Sequence, residues 1–271
     1  MINKSPLVFV GIAPHPPIMV PEVGGARTRE VRASVAAMRE LTARVKDCGA
    51  ETVVLVSPHA PLERDSFVAY GGARLRGDFA NFRAPEAIVE APLDEELLAA
   101  VEEAASEERY RVVSLGARPL DHGTAVPLYF LLRNGWVGRV VALGYSFLPD
   151  GDHVRFGECI RRAVERVKRP AAFVASGDLS HRLAPDAPAG FHPDAHRFDE
   201  QVVESLRSND PERISQIDHE LRRLAGECGY RSMLVALGAA AGGEGTCEVM
   251  HYEAPFGVGY LVAQLSRSDL N

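Results

Sequence analysis

A single α/β domain, with a central, mostly parallel mixed sheet flanked by helices, is what this sequence predicts, and three observations carry that prediction. Short apolar, β-branched runs alternate with stretches of helical periodicity. The first two runs end in similar loops, Ala13-Pro14-His15-Pro16-Pro17 and Ser57-Pro58-His59-Ala60-Pro61. The 271 residues, 46% hydrophobic and 25% charged, supply ample core for one domain spanning residues 1–271, with no internal repeat or interdomain linker.

The elements follow in order. Leu7-Val8-Phe9-Val10-Gly11-Ile12 is a buried strand stopped by the prolines around His15, through which no helix continues. From about Thr28 to Asp47, Val31, Val35, Met38, Leu41 and Val45 recur at helical spacing, and Gly49 ends the helix. Thr52-Val53-Val54-Leu55-Val56 is the second strand. A strand, helix and strand in succession make a βαβ unit, so His15 and His59 are expected to meet at the carboxyl ends of parallel strands. Further strands are expected at Arg111–Leu115, Arg139–Leu143 and Ala171–Ala175, and helices near Asp94–Ala105, Thr124–Arg133 and Val154–Val167. Arg64–Pro92, and two strands within Thr246–Leu265 broken at Pro255-Phe256-Gly257, are expected at an edge, antiparallel to their neighbours.

The net charge of −7, with Lys and Arg scattered among acids, leaves no basic patch for nucleic acid. No apolar run approaches the roughly 20 residues of a membrane span, and the N-terminus lacks a signal core. Cys48, Cys159, Cys228 and Cys247 form no CxxC pair. Reduced thiols and a cytoplasmic location are expected.

The chemistry lies in the histidines. His15, His59, His122 in Asp121-His122-Gly123-Thr124, and His181 in Ser176-Gly177-Asp178-Leu179-Ser180-His181 all follow expected strands and point to one rim of the sheet. His153, His192, His196 and His219 lie in polar stretches expected to be exposed, and His251 lies on a terminal strand that could approach the site. Two imidazoles and a carboxylate hold Fe(II) while leaving positions open for substrate and O₂. The carboxylate is open at this level: Asp178 and Asp121 equally suit orienting a histidine, and Glu227, just before the apolar run Met233–Leu237, equally suits a helix N-terminus. Cys228 is an alternative ligand, and Glu253 a further candidate.

The ordered set resembles the class III extradiol dioxygenases, in the form of the catalytic β subunit of protocatechuate 4,5-dioxygenase, over nearly the whole chain. The resemblance implies that His15, His59 and Glu227 bind Fe(II), with Zn or Mn possible as purified. It implies that His181 acts as acid and base, and that His122 faces substrate. The implied reaction is extradiol cleavage of a catechol-type or aminophenol ring with O₂, in aromatic catabolism. A homo-oligomer or a small lid subunit is the implied partner. Cys228-Gly229 also resembles the Memo-type proteins of the same superfamily, which implies instead a metal-binding module without oxygenase activity. A zinc or iron hydrolase is a third possibility, against which stands the lack of an HExxH motif.

Overall fold

The computed structural model describes residues 5–242 and 246–267. Strand β1 (Leu7–Ala13) leads through a turn (α1, Pro21–Gly24) and a 3₁₀ segment into helix α2 (Arg32–Asp47) and strand β2 (Thr52–Ser57). Val31, Val35, Met38, Leu41 and Val45 are all buried, as their periodicity requires. Strands β3 (Phe67–Ala69), β4 (Arg74–Phe79) and β5 (Ala84–Pro92) follow, then α3 (Glu95–Glu107), β6 (Val112–Ser114), α4 (His122–Arg133), β7 (Arg139–Gly144), α5 (Asp150–Val167) and β8 (Ala171–Ser176). The chain then passes through α6 (His196–Arg207), α7 (His219–Ala225), α8 (Tyr230–Ala240), β9 (Glu248–Glu253) and β10 (Tyr260–Arg267). Asp94, Asp121 and Asp218 cap α3, α4 and α7, each side chain accepting a backbone N–H three residues on.

Eight strands form one sheet in the order β6-β3-β7-β2-β8-β1-β10-β9. The central four, β7, β2, β8 and β1, are parallel; β3 runs antiparallel to β7, and β10 antiparallel to β1. The parallel centre, the antiparallel terminal strands and the single α/β fold are as the sequence predicts, whereas of the Arg64–Pro92 stretch expected at an edge only β3 joins the sheet, and the edge strand β6 pairs parallel with it. Strands β4 and β5 pair only with each other, in a separate hairpin. β1 and β2 are not neighbours, however, because β8 inserts between them.

Side-chain alternation divides the core between the two faces. On β2, Val54 and Val56 join Phe156, Ile160 and Leu234 on the face covered by α3, α5 and α8. Val53 and Leu55 join Met38, Leu41 and Phe130 on the face covered by α2 and α4. Each such side chain contributes about 1.5–3 kcal/mol of burial. A strand covered on both faces carries few polar positions, which is why β2 reads as an unbroken apolar run from Val53 to Val56 between Thr52 and Ser57.

The expected exposure of His153 needs correction. His153 is fully buried within α5, its ring nitrogens 3.1 and 3.0 Å from the carbonyls of Pro149 and Ser146. Helix α4 is found where expected near Thr124, and the Asp121 cap extends its first turn to His122.

Candidate metal centre

The ends of β1, β2 and β8 open onto the same rim, with β8 in the middle, so the loop after β8 floors a site walled by the loops after β1 and β2. His15 is buried. Its Nδ1 lies 2.9 Å from Ser176 Oγ, which lies 2.5 Å from the carbonyl of Gly123. A carbonyl can only accept, so the single hydroxyl proton goes to Gly123 and Ser176 accepts from His15 Nδ1–H. The Nε2 lone pair of His15 is therefore directed into the site.

That Nε2 lies 3.1 Å from Nε2 of His59, a separation suited to two imidazoles that each approach a shared ion to about 2.1 Å. The Sγ of Cys228 lies 3.8 Å from His15 Nε2. His15, His59 and Cys228 each offer one ligand atom, all within 4.8 Å of one another. His122 stacks on His59 at 4.3 Å between centroids and meets His15 edge-on at 5.3 Å.

Two close approaches make this possible. A Cβ on Gly177 would lie 2.2 Å from Gly229 Cα, so only glycine lets the end of β8 touch the chain entering α8 and bring Cys228 in. A Cβ on Gly123 would lie 2.3 Å from Ser57 Oγ. Around that contact, Asp121 Oδ1 accepts the Ser57 hydroxyl at 2.5 Å and Oδ2 accepts Tyr70 Oη–H at 2.9 Å. Ser57 Oγ in turn accepts the backbone N–H of His59 at 3.1 Å. One carboxylate thus fixes both the start of α4, with His122, and the loop carrying His59.

The electrostatics favour neutral imidazoles, the form that ligates metals. Burial, then the neighbouring His59, His122 and His181, hold His15 well below its usual value. Burial and His122 push His59 down to about 4, against the pull of Asp121. Burial also lowers His122 and His181. The Nδ1 of His181 is buried without a hydrogen-bond partner; the nearby carbonyls of Leu179 and Gly226 only partly offset the burial. Burial, then the charge of Asp178, pushes the Cys228 thiol well up, so a bound cation would have to draw off its proton.

The remaining candidates are placed as follows. The Glu227 carboxylate accepts the N–H of Tyr230 at 2.6 Å at the start of α8 and is not among the three clustered ligand residues, where its neighbour Cys228 stands. Asp178 is buried and accepts the backbone N–H of His15 at 3.0 Å, a positioning contact. Glu253 accepts from Ser34, and His251 faces Glu253 at 3.6 Å. His196 and His219 are exposed and His192 half-buried, away from the cluster. Ser57, Tyr70 and Ser176 complete the site without a motif of their own; their signal in the sequence is a serine ending each of two otherwise apolar strands, β2 and β8.

The molecule is thus an α/β protein with a His/His/Cys cluster able to hold a metal ion at the carboxyl ends of its parallel strands. Residues 10–263 match the family described as the catalytic LigB subunit of aromatic ring-opening dioxygenase, and the chain belongs to that family. Protein CA_C1420 of Clostridium acetobutylicum is 34% identical over 265 residues, covering 94% of this chain and 56% of the relative. The chain therefore spans just over half the length of that curated relative. The crystal structure of the uncharacterized protein JW3007 from Escherichia coli K12 shares the fold, with a TM-score of 0.60 at 20% identity over 83% of this chain and 92% of the other. Among the described residues no helix is long and apolar enough to cross a membrane.

Proposed function

We propose that the chain is a metal-dependent ring-opening dioxygenase acting on a catechol-type or aminophenol ring with O₂. The observation that carries the reading is the meeting of His15 and His59 Nε2 at 3.1 Å, ringed by His122 and His181, in a chain of this family. His15, His59 and Cys228 would hold the ion. An iron there would supply a Lewis acid that gathers the two adjacent hydroxyl or amino substituents of the substrate and O₂. The protein's own groups do the rest. Ser176 fixes the tautomer of His15. His181, kept neutral by burial, takes a hydroxyl proton and later returns it. His122 would donate a hydrogen bond to a substrate oxygen. His59 is exposed and His122, His181 and Cys228 half-buried, which leaves the site reachable from the rim. A reducing cytoplasm, and a second copy or small lid subunit over that rim, belong to the same reading.

Cys228 favours a second reading. Fe(II) oxygenases of the two-His type take a carboxylate as the third donor, and a thiolate suits softer ions such as zinc. On this reading the chain is a Memo-like metal-binding module without oxygenase activity.

One experiment separates them. The protein is purified without oxygen, iron and zinc are quantified, and oxygen uptake is followed with a panel of catechols and aminophenols. Bound iron with oxygen uptake and a yellow ring-opened product is the expected outcome. Bound metal without turnover across the panel would defeat the dioxygenase reading in favour of the module.

A further inference from the structure

We propose that Asp199 is a positioning residue that acts through Ser180 to hold the His181 imidazole at the metal centre. The inference rests on the reading of His181 as the proton-transfer group. A catalytic imidazole is commonly oriented by a hydrogen bond from its second nitrogen to a carboxylate or carbonyl. His181 has no carboxylate partner: its buried Nδ1 lacks a hydrogen bond of good geometry, and the nearby carbonyls of Leu179 and Gly226 only partly offset its burial. The placement of its ring therefore depends on how the backbone on either side is held.

That backbone is tied from several elements at once. The Ser180 N–H donates to Asp199 Oδ1 at 2.9 Å in a buried contact, and the Ser180 carbonyl accepts from Gly259 N–H at 2.8 Å. Both the Ser180 hydroxyl and the His181 N–H donate to the carbonyl of Ala225, at the end of α7, each at 3.0 Å. Asp199 is itself anchored: Tyr252 Oη–H donates to its Oδ2 at 2.8 Å. A Cβ on Gly259 would stand 2.0 Å from that Oδ2, so the strand entering β10 is glycine where the carboxylate sits. Asp199 lies in the first turn of α6 and is buried, yet pairs with no cation in the described residues and touches none of the ligand residues. A buried carboxylate is costly, and here its two hydrogen bonds join β9 to the residue preceding His181.

The test compares the full-length wild type with Asp199→Ala and Asp199→Asn. The asparagine amide oxygen can still accept from Ser180 while its NH₂ donates to Tyr252. Three quantities are read: the His181 ring resonances in the metal-free protein by ¹H–¹⁵N NMR, metal affinity, and kcat with the best catechol. The alanine variant should broaden or shift the His181 resonances and lower kcat by about 10²-fold, the scale of an ångström's misplacement, with metal affinity unchanged. The asparagine variant should restore both. If alanine prevents folding, Tyr252→Phe, which removes the second anchor of Asp199 without touching the His181 backbone, should reproduce the His181 perturbation in smaller degree. Unmoved His181 resonances in a folded alanine variant, or in Tyr252→Phe where alanine does not fold, would overturn the proposal, as would an asparagine variant as perturbed as alanine. Should no substrate turn over, the NMR comparison still decides the role of Asp199, so its failure and that of the dioxygenase reading stay separate.

Discussion

The Nδ1 of His15 lies 2.9 Å from the hydroxyl of Ser176, and that contact decides which nitrogen of His15 faces the metal site. Removing it should leave the imidazole free to take either tautomer. Ser176→Ala is expected to weaken metal binding by about 10–100-fold, the usual cost of losing a partner that orients a ligand. A chelator-competition titration measures it; unchanged affinity would show that the ring is held by packing alone.

Glu227 and Cys228 should separate cleanly. Cys228→Ala is expected to lose metal at a stability cost of about 1 kcal/mol, because its small thiol makes only weak sulfur contacts with the backbone of Asp178. Glu227→Ala should retain metal and lose about 1 kcal/mol, since its carboxylate accepts Tyr230 N–H at the start of α8. Metal analysis and urea unfolding of the two variants provide the check, and the reverse pattern would make Glu227 the ligand.

Asp121 carries more. It accepts from Ser57, Tyr70 and Thr124, with two contacts from Thr124. Asp121→Ala should cost about 2–4 kcal/mol in urea unfolding, the sum of a lost cap and the stranded hydroxyls of Ser57 and Tyr70.

The pH dependence has a definite sign. Burial raises Asp199 to about 7 against the hydrogen bonds from Ser180 and Tyr252. A carboxyl whose folded value is raised binds a proton in the folded state before the unfolded one. Its contribution to stability is fully present below about 4 and is lost as pH rises through about 7. Wild type should therefore gain stability over Asp199→Asn as pH falls from 7 to 4, with a flat difference above 7. Paired urea titrations measure it, because the other titrating groups are common to both chains. A difference that grows with rising pH would contradict the account.

Much of this was legible in the sequence because it depends on local pattern. The strand at Thr52, the helix ending at Asp47 and the proline-bounded loops of His15 and His59 follow from periodicity and from where proline stops a helix, although the helix expected from about Thr28 is α-helical only from Arg32, after a 3₁₀ segment. The insertion of β8 between β1 and β2 was not legible, because strand order is set by long-range pairing that a βαβ pattern leaves open. His153 looked exposed because its neighbours are polar, yet it falls on the inner face of α5. Nor could spacing choose between Glu227 and Cys228, which are adjacent. Their directions follow from the contact of Gly177 with Gly229, residues 52 positions apart in the chain.

The most direct test of the metal centre is the metal content of the chain purified without oxygen, compared with its His15→Ala and His59→Ala variants. The account predicts a stoichiometric divalent transition metal in the wild type and none in either variant, with all three folded, because both histidines lie in loops beyond the strand ends. A wild type that takes up no metal, or variants that keep it in full, would contradict it.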